Sequence, residues 1–239
     1  MPRTILITND DGIHSEGLLR LVRAAVRFGD VWVIAPHKGR SACSHGITLS
    51  DPLDIVPVPY EAEGVRAFSC SGLPADCVRV GTLSVMPKPP DVVLSGLNYG
   101  YNAATDIQYS ATCGAAFEAS FLGYRGIALS EQDCACHEVT DRYLDGVLEE
   151  LIDQEPGPDQ IWNVNFPGCP LSECKGILRD RVMSREVVYE DTYDPIETLH
   201  GVGVRYMVCG KLRQEAEEGS DYDALLHNAV AIGKVSNIC

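Results

Sequence analysis

Adjacent aspartates at positions 10 and 11 follow an apolar run and precede a glycine in the stretch RTILITNDDG. Two carboxylates held close repel each other unless a cation lies between them, and a hard divalent ion with oxygen ligands suits such a pair. Successive side chains on a strand point to opposite faces, so both acids reach one ligand only if the backbone turns, which Gly12 makes cheap. The same run would also serve as an ordinary polar turn. In open α/β sheets, however, ligands collect in the crevice beyond the carboxyl ends of the strands. Two further strand ends carry oxygen-bearing side chains: Ser41 in HKGRSACSHG, after VWVIAP, and Asn98 in SGLNYG, after DVVL. Carboxylate, hydroxyl and amide oxygens from Asp10, Asp11, Ser41 and Asn98 suit magnesium, manganese or calcium rather than the softer metals. A shell of this kind leaves room for water and a phosphate oxygen, and the ion can generate hydroxide and neutralise charge at phosphorus.

Other residues carry weaker chemical signals. His37, Lys38, Arg40 and His45 make HKGRSACSHG the most basic short stretch of an acidic chain. It reads either as a phosphate-attracting loop or as an ordinary solvated one. Ser110 and Thr112 open a helix whose first-turn N–H groups form an anion site, and both would equally serve as caps. Asn163 and Asn165 alternate with apolar residues in IWNVNFP, facing the site or capping a strand end. The CACH run of Cys134 to His137 has no second ligand pair at a zinc-site spacing.

These residues need a frame. Ile5 to Ile7 reads as a strand buried on both faces, LLRLVRAAVRFG as an amphipathic helix and Val31 to Pro36 as a second strand. That order predicts a parallel sheet with a right-handed crossover, the doubly wound α/β class. No G-x-G-x-x-G follows the first strand, so the dinucleotide fingerprint is absent. The proline-rich stretch from Asp51 to Ala67 reads as edge strands or hairpins, and a helix follows from Pro74 to about Val85. Strands are expected at DVVL, GIAL and IWNVNFP, with an outer amphipathic helix from His137 to Leu151. Beyond Pro170, REVVYEDTYDPIETLHGVGVRYMVCGKL reads as β-hairpins, an exposed arm suited to pairing with another chain. A short helix capped at Ser220 and a strand in AVAIGKV close the chain. Residues 1–239 are thus expected as one domain, with a core over 1–170 and the arm, last helix and last strand over 171–239.

Nineteen basic residues against thirty-four acidic ones give a formal charge of −15. That balance excludes a general binder of polymeric nucleic acid, while local charge around a metal leaves mononucleotides open. The first residues lack a signal-peptide pattern and no window is apolar enough to span a membrane, so a cytoplasmic protein is expected. Among ten cysteines, Cys43, Cys70, Cys77, Cys113, Cys169, Cys174, Cys209 and Cys239 are scattered and read as reduced thiols packed as small hydrophobes.

Taken together, the motifs resemble the SurE family of survival proteins, metal-dependent 5′/3′-nucleotidases. TNDDGIHSEGL resembles the family's opening and APHKGRSACSHGITL its AP-x-x-x-x-S loop, with the serine at Ser41. PADCV, DVVLSGLNYGYN, YSATCGAA, WNVNFP and SDYDAL follow in the family's order. The resemblance implies a Rossmann-like core and a C-terminal β-arm exchanged between subunits of a homodimer or homotetramer. It implies one divalent cation per subunit, Mg2+ or Mn2+, on Asp10, Asp11, Ser41 and Asn98, with Asp10 and Asp11 as the catalytic pair. It also implies a phosphate pocket lined by Asn9, Asn102, Ser110 and Thr112. The implied substrates are nucleoside monophosphates and, in some members, polyphosphate. The chain departs from the family in three places: Ala111 replaces the glycine of Y-S-G-T, Ala104-Thr105-Asp106 stands where L-G-D-D is usual, and the tail ends differently.

A phosphomonoesterase using water as nucleophile is the expectation, with attack by Asp10 through an aspartyl-phosphate as its mechanistic rival. A nucleotide sensor with little turnover is an alternative prompted by Ala111. An aspartyl-phosphate signalling domain is another, but Asp51 is not at a buried strand end and the chain is twice the needed length.

Overall fold

The computed structural model describes residues 2–237; Cys239 and the end of the divergent tail lie outside the described residues. The chain opens with β1 (Thr4–Thr8), α1 (Glu16–Ala25) and β2 (Asp30–Pro36). β3 (Ile55–Val58), β4 (Arg66–Cys70) and α2 (Pro74–Val80) follow, and the predicted helix reaches Val85 only through a wider π-helical turn over Gly81–Val85. β5 (Val92–Tyr99), a 3-10 turn over Ala104–Tyr109, α3 (Ala111–Phe121), β6 (Arg125–Glu131), α4 (Glu138–Leu151) and β7 (Gln160–Phe166) complete the region read as the core. β8 (Ile177–Arg181), the arm strands β9 (Tyr189–Leu199) and β10 (Gly203–Leu212), α5 (Asp221–Leu226) and β11 (Val230–Ser236) end it.

Nine strands form one sheet in the order β3-β4-β2-β1-β5-β6-β7-β11-β8. From β4 to β7 every neighbouring pair is parallel, while β3 at one edge and β11 near the other run antiparallel to their inner neighbours. The strand order reverses at β1, with β2 on one side and β5 on the other, which is where open α/β sheets bind ligands. β8 and β11 after Pro170 belong to this sheet, so only the β9–β10 hairpin stands apart as a second, two-stranded sheet.

Alternation along β1 sorts the two faces. Ile5 and Ile7 pack with Leu18, Leu21 and Val22 of α1 and Val147 and Leu148 of α4, while Leu6 packs with Cys77 and Val78 of α2 and Ala115 and Ala119 of α3. Strands covered on both faces must be apolar throughout, hence the unbroken Ile-Leu-Ile run. α1 starts where Ser15 accepts from the Leu18 N–H, and its buried residues recur at helical spacing. No helix among the described residues is long and apolar enough to cross a membrane. The nine described cysteines are free thiols.

Candidate active site

β1 ends at Thr8, and the next four residues make the turn that the acid pair needs. Gly12 takes a φ of +105°, and a Cβ there would meet the Lys38 backbone at 3.3 Å. Asn9 closes this turn. Its Oδ1 accepts from the Gly12 N–H at 3.2 Å, and its Nδ2 donates to the Gly12 carbonyl at 3.1 Å and the Ser15 hydroxyl at 2.7 Å. Both amide hydrogens are therefore committed within the turn that carries the acid pair.

Asp10 is buried, and its Oδ1 accepts from the Thr112 hydroxyl at 2.6 Å. Burial pushes its pKa up, and the Thr112 bond opposes that shift. Asp11 is half-buried, with Oδ2 lacking any partner. Burial first, then the charge of Asp10, push its pKa up to about 6, against the opposing Tyr99 backbone N–H. The carboxylates therefore raise each other's energy in a site with no compensating cation among the described side chains at Asp11 Oδ2.

Asn98 lies inside β5, which runs on to Tyr99 past the end expected at Leu94. A register irregularity between Ser95 and Asn98 re-aims the strand there. Asn98 Nδ2 donates to the Gly100 carbonyl at 2.8 Å, leaving Oδ1 as its free acceptor. The Tyr99 backbone N–H lowers the Asp11 pKa, so this strand end lies near the acid pair. Ser41 sits in an exposed loop brought over the site by the Arg40 N–H, which donates to the Asp10 carbonyl at 2.7 Å.

The basic character of that loop is largely spent within the protein. Arg40 donates to the Ser71 carbonyl at 2.7 Å, and His45 Nε2 lies 2.7 Å from Glu118 Oε2 and stacks on Phe121. Glu118 is buried and also takes Arg79 at 2.7 Å; these partners hold its pKa below the usual range despite burial. The loop thus clamps onto α3, where a Cβ at Gly114 would stand 2.6 Å from the Ser44 carbonyl oxygen.

Ser110 caps α3 by accepting from the Cys113 N–H at 3.1 Å. Asn102 is buried among polar groups: its Nδ2 donates to Ser130 Oγ at 2.8 Å, and its backbone is held by Asn163 and Asn165. Ser130 and Glu118 escaped the sequence reading. Ser130 follows GIAL, so the strand-end rule applied at three other strands would have found it had that strand been extended. Glu118 is the lone charge in AAFEASF, a signal of a buried partner.

A family model described as "Survival protein SurE" matches residues 5–188. The 5′-nucleotidase SurE of Mesorhizobium japonicum is 36% identical over 95% of this chain and 91% of its own length. That of Brucella canis is 39% identical over 95% of this chain and 90% of its own. The crystal structure of the SurE protein from Aquifex aeolicus superposes with a TM-score of 0.81 at 30% identity, covering 98% of this chain and 93% of that one.

Proposed function

The chain belongs to the SurE family and is a 5′-nucleotidase, and we propose that it works with one divalent cation, Mg2+ or Mn2+, on Asp10, Asp11, Ser41 and Asn98. The observation that carries this reading is the acid pair itself, Asp10 buried and Asp11 half-buried with its Oδ2 unpartnered, at the strand ends that also carry the free Asn98 acceptor. An oxygen-only donor set fits a hard cation and gives no softer metal a preferred ligand. Bound there, the cation supplies charge neutralisation at phosphorus and lowers the pKa of water.

The chain's own residues then have separable tasks. Thr112 holds Asp10 by one oxygen and leaves the other for the cation. The first turn of α3 presents N–H groups to the substrate phosphate: Ser110 takes those of Cys113 and Gly114, leaving those of Ala111 and Thr112. The second Nδ2 hydrogen of Asn102 and the hydroxyl hydrogen of Ser110 complete the phosphate pocket. Because Asp10 is tied to Thr112 and shares the cation, water is the nucleophile in this reading. Ala111 is fully buried at the first helical position with negative φ, so its methyl distorts nothing and lends no support to a sensor without turnover.

The protein is further proposed as a cytoplasmic homodimer or homotetramer joined through the β9–β10 arm. The arm exposes Tyr193, Ile196, Val204, Tyr206 and Val208 on an otherwise unpaired hairpin, an edge suited to a second copy. Phosphate release from AMP, GMP, CMP, 3′-AMP and short polyphosphate, with Mg2+ or Mn2+ and with chelator, tests the reading. Release from the 5′-esters only with metal is expected. Binding of all of them with no release would favour the sensor.

A further inference from the structure

Asn102 lies just past the end of β5, where the chain has left the sheet, and its backbone would have no ladder partner there. Two side chains of β7 replace the missing strand. Asn165 Oδ1 accepts from the Asn102 N–H at 2.8 Å while Asn165 Nδ2 donates to the Asn102 carbonyl at 3.0 Å. Asn163 Nδ2 donates to the same carbonyl at 2.8 Å. One carboxamide thus pairs both polar groups of a peptide residue, as a neighbouring strand would, and a second carboxamide fills the carbonyl's other lone pair. Asn102, Asn163, Asn165 and Ser130 are all buried, so each bond is shielded from competing water and a lost partner is costly.

The sheet register explains why this clamp bears on the chemistry. Asn98 pairs with Ser130 across β5–β6, and Ser130 pairs with Asn165 across β6–β7. A single polar row at the carboxyl ends of three adjacent strands therefore runs from the candidate cation ligand to the clamp. In that row Ser130 fixes the Asn102 side chain and Asn165 fixes its backbone.

We infer that Asn165 and Asn163, with Ser130, are positioning residues of the hydrolysis, holding Asn102 so that its free amide hydrogen meets the substrate phosphate. This rests on the proposed place of Asn102 in the phosphate pocket. It gives the two asparagines of WNVNFP a task distinct from metal binding, since their side chains bond to Asn102 and Cys113 and not to Asp10, Asp11 or Asn98.

The test uses inorganic phosphate as a competitive inhibitor of AMP hydrolysis by the full chain, in a double-mutant cycle. Asn102→Ala and Asn165→Ala should each raise the phosphate inhibition constant about tenfold, the effect of losing or misplacing one hydrogen bond to a charged group. The double variant should match Asn102→Ala within about twofold, because Asn165 acts through Asn102. Mn2+ affinity of Asn165→Ala should equal that of the native chain, which general structural damage would not allow. Ser130→Ala, a smaller change, reports the same loss if Asn165→Ala does not fold. Unchanged phosphate inhibition in Asn102→Ala would remove Asn102 from the phosphate pocket and the inference with it. An effective Asn102→Ala, with the β7 and β6 variants silent or strictly additive, would overturn the positioning role alone.

Discussion

The Thr112 hydroxyl donates to Asp10 Oδ1 across 2.6 Å, tying the first turn of α3 to the end of β1. Burial drives the Asp10 pKa up and this bond restrains it. Thr112→Val keeps the side-chain shape and removes the donor, so Asp10 retains its proton to higher pH. A metal ligand binds only when deprotonated, so Mn2+ affinity at neutral pH should fall about tenfold or more, the worth of a hydrogen bond to a charged group. Calorimetric titration with Mn2+ measures it, and the acid limb of the activity profile should move to higher pH.

Asp11 contributes to the stability of the metal-free protein with a sign opposite to that of a paired carboxylate. Its pKa of about 6 lies above the ordinary carboxyl value, so the folded chain holds this proton more tightly than the unfolded chain. The Asp11 contribution to stability is then greatest below the unfolded pKa, falls as pH rises towards 6, and stays low above it. In chelator at pH 8, Asp11→Asn should be more stable than the native chain by roughly 1–2 kcal/mol, allowing for solvent at this half-buried group. Thermal melting checks it, and added Mn2+ should stabilise the native chain far more than the variant. A destabilised Asp11→Asn protein in chelator would show that the acid pair is not strained.

Much of this site was legible in the residues, and the failures have a common cause. Ile5 to Ile7, Val31 to Pro36 and the Asp-Asp-Gly turn read correctly because a strand buried on both faces must be continuously apolar and must end where polar groups begin. β5 and β6 were cut short for the same reason. Ser95, Asn98, Ser130 and Glu131 look like the start of loops, yet they are strand residues whose backbones pair across β5 and β6, and Ser130 Oγ accepts from Asn102. The turn bonds of Asn9 were not legible because hydrogen bonding within a turn leaves no trace in residue type. The basic loop looked free because its counter-charge, Glu118, is more than seventy positions away.

The clamp between the Ser41 loop and α3 makes Gly114 a sensitive position. Its added Cβ in Gly114→Ala would meet backbone atoms of Ser44 and His45 at 2.6 and 2.9 Å, which no flexible side chain can relieve. The loop must lift, with a cost of about 1–3 kcal/mol typical of overpacking. Since the loop carries Ser41, Mn2+ affinity should weaken alongside the melting temperature. A variant with lowered stability and native Mn2+ affinity would remove Ser41 from the ligand set.

Ala111 is suited to the first turn of α3. Ala111→Gly should lower stability by about 0.5–1 kcal/mol through added backbone freedom. It should bring no gain in kcat on AMP. A clear rise in kcat would mean that the alanine methyl obstructs the phosphate and would restore the sensor reading.

The central claim is that Asp10 and Asp11 share a divalent cation on which hydrolysis depends. Its most direct measurement is phosphate release from AMP by purified native and Asp11→Asn protein, with the Mn2+ content of each determined in the same samples. The native chain should bind one Mn2+ per subunit and release phosphate only when it is loaded, while folded Asp11→Asn protein should do neither. Full release by metal-free native protein, or by the Asp11→Asn variant, would contradict the account.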